Sequence, residues 1–256
     1  MKSKSVTDQY RDASVVVTTG HNSDLKNLVV PIYSQEEHGT WALMFKRQME
    51  ALPQRVSQEY LDALQKLNLP ADRIPRLLDV SNVLEKSTGW KLTRVEGLVP
   101  EKEFFELLSQ KLFPCTDFIR KREELEYTPS PDMFHDIFGH IPLITNQTFA
   151  NFYEFFGKVA ARATPEQVVK LQRIYWFSVE FGLIKNKEGL RIYGSGILSS
   201  VGEVIYSLGN KVRVHPFDFE KVANQEFEIH HMQDDLFFID SFDSLLTGFK
   251  EYSKTI

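Results

Sequence analysis

A single cysteine in 256 residues, Cys115, excludes an internal disulfide framework and suits a reducing compartment. Its flank Leu112-Phe113-Pro114 is apolar, so the thiol reads as a buried structural group rather than a nucleophile. Long apolar runs are also missing. In the first 27 residues the only such run is Val15-Val16-Val17, far shorter than a signal-peptide core or a membrane span. Basic clusters are missing too: the 30 Lys and Arg are scattered among 35 Asp and Glu, with a net charge of -5. That distribution excludes a nucleic-acid surface and an anionic-membrane surface, leaving small molecules as the expected partners. No repeat and no linker divides the chain, and 42% apolar content supports one large core. The expectation is a flexible N-terminal arm over residues 1–27 and one cytoplasmic domain over 28–256, acting as a monomer or small homo-oligomer.

What the chain has in quantity is aromatic side chains and helix signals. Its 20 Phe, 9 Tyr and 3 Trp supply core bulk first, and rings for a pocket second. Ser34-Gln35-Glu36-Glu37 is a capping box that opens a helix to about Ala51, stopped by Pro53. Val56, Tyr60, Leu61, Leu64 and Leu67 form the stripe of a second, ending before Pro70. Ser81 is expected to cap a third that ends at Gly89. Lys91–Val99 alternates loosely, as a short strand or extended loop, and Glu101–Leu112 reads as helix. Thr164-Pro165-Glu166-Gln167 opens a further helix, and Ser200-Val201-Gly202-Glu203 another, running to Gly209. Arg191–Tyr193 reads as a short strand, Val212–Phe219 as extended or looping chain, and Asp240–Lys254 as a final amphipathic helix. The fold class is mainly α with a few short β-strands, in one domain.

The densest chemistry lies in Pro129–Pro142, which holds His135, His140, Asp132 and Asp136. Residues five apart on a regular helix are separated by about 140° around its axis, so both imidazoles cannot face one ion from one helical face. Gly139 and Pro142 predict a short helix from Pro131 that unwinds near Gly139, letting His140 swing back toward His135. The plain alternative is two packed, hydrogen-bonded histidines. A third ligand is needed. In the helix opened at Thr164, Val168, Val169, Leu171, Ile174, Tyr175, Trp176, Phe177, Val179 and Phe181 surround Glu180. A carboxylate there must be protonated, paired or bound to a cation. Pairing candidates are Arg173 and Lys185, nearer the polar ends of the helix. With His135 and His140, Glu180 completes the two-histidine, one-carboxylate set of non-haem Fe(II) oxygenases, and the same ligand types bind catalytic zinc. Zinc hydrolases space their histidines by four, with a Glu after the first; here the spacing is five and Asp136 follows. Asp132 and Ser199 are placed to hold an imidazole by its second nitrogen, or else are a helix-start acid and an N-cap.

Four motifs carry a resemblance: Thr128-Pro129-Ser130-Pro131-Asp132, His135-Asp136-Ile137-Phe138-Gly139-His140, Tyr175-Trp176-Phe177-Ser178-Val179-Glu180-Phe181-Gly182 and Tyr193-Gly194-Ser195-Gly196-Ile197-Leu198-Ser199-Ser200. Together, and in this order, they resemble the pterin-dependent aromatic amino acid hydroxylases, over well more than four fifths of the chain. The resemblance implies a basket of helices around one Fe(II), held by His135, His140 and Glu180. It implies that O2 and tetrahydrobiopterin, or a related tetrahydropterin, form an Fe(IV)-oxo species that hydroxylates the substrate ring. It places Arg120 and Thr128 at the amino acid carboxylate, Pro131, Trp176 and Phe181 around the ring, Ser199 behind a ligand, and Gly97-Leu98-Val99, Phe104 and Asp136 on the pterin side. Departures are Asp136, where vertebrate members carry Glu, and the expected lack of a regulatory domain and of a long tetramerisation tail, as in bacterial phenylalanine hydroxylases. Trp176 and the apolar Ile229 resemble phenylalanine enzymes, although His230 and His231 follow. A tyrosine or tryptophan hydroxylase, or a non-catalytic metal- or pterin-binding protein, are the alternatives.

Overall fold

The computed structural model describes residues 21–26, 31–125 and 130–256; Thr128, Pro129 and most of the expected N-terminal arm lie outside them. Three helices come first: α1 (Gln35–Ala51), α2 (Gln58–Leu67) and α3 (Leu77–Thr88). Then β1 (Lys91–Val95), α4 (Glu101–Ser109) and β2 (Leu112–Thr116) lead to a wide π turn over His135–His140 and the short α5 (Ile141–Ile144). Next are α6 (Gln147–Ala160), α7 (Pro165–Tyr175) and a second π turn over Trp176–Glu180. The chain closes with β3 (Gly182–Asn186), β4 (Gly189–Ile192), α8 (Ser195–Leu198), α9 (Val201–Tyr206), β5 (Arg213–Pro216), α10 (Phe219–Ala223), β6 (Asp235–Ile239) and α11 (Phe242–Tyr252).

Local chemistry explains most of these boundaries. The capping boxes at Ser34 and Thr164 both form, with Glu37 and Gln167 returning the bond to the cap backbone. Gly89 ends α3 at φ 77°, a left-handed conformation that costs glycine nothing. Ser81 is a correction: it lies inside α3, whose cap is Arg76 just after Pro75, and its hydroxyl accepts the Leu92 N–H at 3.0 Å. The serine therefore ties α3 to β1. The helix from Glu101 is also shorter than expected, stopping at Ser109. Lys111, at φ 60°, turns the chain into β2, which pairs parallel to β1. Pro114 is tolerated there because both strands of a two-stranded sheet are edges. Residues 21–26 of the expected arm are tied down, Asn22 exchanging backbone hydrogen bonds with Arg94 at 3.0 and 2.9 Å.

A four-stranded sheet in the order β4-β3-β6-β5 closes the C-terminal half, with β3–β4 antiparallel and the other pairs parallel. The main core is aromatic. Trp41 and Phe138 flank Phe134, with Phe134 stacked on Phe138 at 4.9 Å, and Phe156 of α6 stacks on Phe249 of α11 at 4.7 Å. Such pairs add roughly 0.5–1.5 kcal/mol each beyond area burial. A small satellite cluster of Val95, Val99 and Leu107 stands apart, with Phe104 and Leu112 packed on it. No helix among the described residues is long and apolar enough to cross a membrane.

Candidate metal centre

Both expected metal histidines sit on the first π turn. The expectation that the helix unwinds at Gly139 is replaced by a finding: the chain stays helical but closes a wider ring, with the Ile141 N–H bonded to the Asp136 carbonyl. An i→i+5 ring brings residues five apart to the same side, which an α turn does not. Gly139 permits the close approach of the next segment, since a β-carbon there would lie 2.8 Å from the Ser195 carbonyl. Pro142 falls in the first turn of α5, where a missing N–H is harmless. The second π turn, closed by the Phe181 N–H on the Trp176 carbonyl, delivers Glu180 to the same point.

The ligand atoms converge. His135 Nε2 and His140 Nε2 are 3.0 Å apart, and the Glu180 oxygens lie 3.2 Å from His140 Nε2 and 3.7 Å from His135 Nε2. Two donors each about 2.1 Å from one ion and at right angles would stand about 3.0 Å apart. The far ring nitrogens are occupied: His135 Nδ1 meets the Ser199 hydroxyl at 2.9 Å, and His140 Nδ1 meets the Tyr153 hydroxyl at 2.8 Å. Ser199 donates to the Gly196 carbonyl, so it accepts from His135 Nδ1–H, leaving the Nε2 lone pair turned inward. Burial holds His135 neutral, its pKa pushed down to about 4 despite the opposing pull of Glu180. Burial works to raise the Glu180 carboxyl, but His140, His135 and the Ser195 hydroxyl outweigh it and hold it at about 2. Ring nitrogens and a carboxylate aimed at one point are the donor set of a bound divalent metal, and these residues fit one. They form the one such cluster among the described residues, with ligand atoms within 4.8 Å of one another.

The cluster opens on a cavity of about 520 Å³. Of the expected site residues, Arg120, Pro131, Trp176, Phe181 and Ser199 line it, as do Gly97, Leu98, Val99, Phe104 and Asp136. Thr128 lies outside the described residues. Trp176 is fixed between Phe181, at 4.7 Å, and Phe227, stacked at 4.4 Å. Phe104 meets Tyr175 edge-on at 5.5 Å. Ile229, His230 and His231 stand at the rim, both histidines exposed.

The sequence profile of the biopterin-dependent aromatic amino acid hydroxylases matches residues 10–256. The chain belongs to that family. It is 43% identical over 201 residues to the phenylalanine-4-hydroxylase of Pseudomonas aeruginosa, covering 78% of this chain and 77% of that one. It is 41% identical over 236 residues to that of Chromobacterium violaceum, covering 90% and 78%. The apo structure of the cold-active phenylalanine hydroxylase of Colwellia psychrerythraea superposes with a TM-score of 0.85 at 43% identity, covering 92% of this chain and 89% of that one. The Chromobacterium violaceum enzyme holding iron(III) and 7,8-dihydrobiopterin superposes with a TM-score of 0.85 at 37% identity, covering 100% and 93%.

In this hydroxylase the charged groups around the cavity are tightly held. Asp132 is fully buried and takes four N–H groups: the Arg120 backbone and Nε on Oδ2, and Arg120 Nη2 and the His135 backbone on Oδ1. The expectation that Asp132 holds an imidazole nitrogen is thus corrected; it holds the backbone of His135 and the guanidinium of Arg120. Burial works against its charge, but Arg120 wins and the carboxyl is held below the usual range. Asp136 accepts from the Thr116 N–H and hydroxyl at 2.8 and 2.9 Å, yet burial still lifts it to about 7. Glu180 pairs with neither Arg173, which reaches Glu226, nor Lys185, which lies over the Phe238 ring. Sequence reasoning missed Tyr153, carried on α6, and Ser195, whose hydroxyl donates to Glu180 at 2.9 Å. Asn146, which caps α6 ahead of Phe149, Phe152, Tyr153 and Phe156, was the available signal for the first. Nothing in the sequence marks Ser195 as distinct from the turn it opens.

Proposed function

We propose that this hydroxylase converts L-phenylalanine to L-tyrosine with O2 and a tetrahydropterin, at iron held by His135, His140 and Glu180. One observation carries the reading: three ligand atoms converge at the wall of a cavity lined by the rings of Phe104, Trp176 and Phe181 and by the guanidinium-bearing Arg120. Bound iron and reduced pterin supply the activation of O2, one oxygen atom entering the ring. The chain's own residues place the reactants. Asp132 occupies Nε and Nη2 of Arg120 and so aims the remaining guanidinium nitrogen, Nη1, for the amino acid carboxylate. Pro131, Trp176 and Phe181 exclude water around the substrate ring. Phe104, with the Gly97–Val99 segment, faces the flat pterin, and Asp136 lies between pterin and metal sides. Thr128 completes the carboxylate site in this reading, and residues 28–256 act as one catalytic domain. The single thiol, Cys115, is buried and suits the cytoplasm.

Phenylalanine is favoured because Ile229, Trp176 and Phe181 give the wall proposed for the substrate ring an apolar surface, while a substrate hydroxyl would need a partner there; His230 and His231, exposed at the rim, are the side chains that could supply one. The test is one assay of phenylalanine, tyrosine and tryptophan with iron-loaded protein and tetrahydrobiopterin. Tyrosine should form from phenylalanine at the highest kcat/KM of the three. Absence of tyrosine, or activity that persists on zinc after iron removal, would reject the proposal.

A further inference from the structure

One polar group on the cavity wall has no role in the reading above. Gln172 lies on α7, one turn before Trp176 and about two turns before Glu180. It is 94% buried, since its relative exposure is 6%, and its amide nitrogen has no hydrogen-bond partner in the protein. Its neighbours Leu171 and Ile174 are buried in the core, whereas Gln172 lines the cavity together with Tyr175. Tyr175 packs edge-on against Phe104, so this turn of α7 borders the face proposed for the pterin, while the Tyr175 hydroxyl meets that of Tyr153 behind His140. A buried amide without a partner is costly to keep, because it gave up water and gained nothing. That nitrogen has no surface open to the cavity as the side chain stands, so its cost is recovered when the amide turns about its last bond to meet a ligand bearing an acceptor there.

We propose that the Gln172 side-chain amide is a pterin-binding group, donating a hydrogen bond to the bound cofactor and helping to set which pterin the enzyme accepts. This rests on the assignment of the cavity to a pterin. Pterins offer acceptors of two kinds, the ring carbonyl and nitrogens, and the hydroxyl groups of a biopterin tail. The donor serves either chemistry.

The experiment is calorimetric titration of the iron-loaded protein with 7,8-dihydrobiopterin and with 6-methyl-7,8-dihydropterin, which lacks the hydroxylated tail. Gln172→Met keeps length and bulk and removes the donor. It should weaken binding about three- to tenfold, the value of one neutral hydrogen bond, while leaving the affinity for phenylalanine unchanged. Without pterin the variant should melt at or above the wild-type temperature, a direction that a merely structural role would reverse. Gln172→Asn retains the amide one methylene further back and should weaken binding by an intermediate amount, which keeps the proposal open to test if the Met variant folds poorly. Weakening for dihydrobiopterin alone assigns the amide to the tail, and weakening for both assigns it to the ring; either supports the proposal. Unchanged affinity for both pterins, or equal weakening toward phenylalanine, overturns it. Failure of the wild-type protein to bind dihydrobiopterin overturns instead the assignment on which it rests.

Discussion

The two long walls of the cavity are built differently. On the metal side, His135, His140 and Glu180 ride on turns embedded in the main aromatic core. Phe134, Phe138, Phe177 and Val179 are all buried beside them, and each imidazole is held from behind. On the side proposed for the pterin, Val99 belongs to the small satellite cluster with Val95 and Leu107, and Phe104, which packs on that cluster and on the edge of the main core, is only partly buried. The difference matches two tasks. Ligands must keep their positions within a fraction of an ångström for a metal to stay bound, and that demands a stiff, fully packed support. A co-substrate consumed in each cycle must enter and leave, which a lightly anchored wall permits.

The comparison is broken most completely at Glu180. Replacing it by Ala should leave a folded protein that no longer retains iron, read by metal analysis beside circular dichroism; full iron occupancy would remove Glu180 from the ligand set. The next largest effect is on stability. Asp132→Ala strands the buried Arg120 charge and should cost about 3–5 kcal/mol in chemical denaturation. The pH dependence follows from the sign of the shift. The folded carboxyl is depressed below its usual 3.8, so its contribution is present above that value and is lost as pH falls through the lowered one. A wild-type curve that stays flat on acidification below pH 4 would contradict this.

Behind the ligands, Tyr153→Phe removes the hydroxyl at His140 Nδ1 and should weaken iron binding roughly 10- to 100-fold with little change in fold. The pterin wall should respond in the opposite pattern. Phe104→Ala should raise the pterin KM about tenfold and cost only about 1–2 kcal/mol of stability, with iron content unchanged. If it lost iron instead, the two walls would be one unit and the contrast would fail.

How far the sequence disclosed this depends on where each residue's partner lies. Caps whose donor is three residues away were legible, and Ser34 and Thr164 both closed as read. Ser81 was misread because its partner is across the fold, on Leu92. Strand β6 escaped notice since it is five residues long and pairs with chain distant in sequence, β3 and β5; β3 was missed as well, although its hairpin partner β4 follows two residues on. The three converging ligands were legible because a carboxylate in an apolar helix calls for a cation wherever the helix goes. The π turns were not, as the wider ring depends on what packs around it. Asp132 was assigned to the right neighbourhood and the wrong atom: spacing places it beside His135, but only packing shows that Arg120 claims it.

The ring that closes Asp136 to Ile141 holds one residue more than an α turn. Removing one residue within it would let the same hydrogen bond close an α turn, whose four residues turn the chain by about 400°, nearly what the wider ring of five does. Ile141 and Ile144, both fully buried, would then keep their face to the core. The wide turn thus takes up a change in residue number that a plain helix would pass on, as a rotation of about 100°, to everything after it.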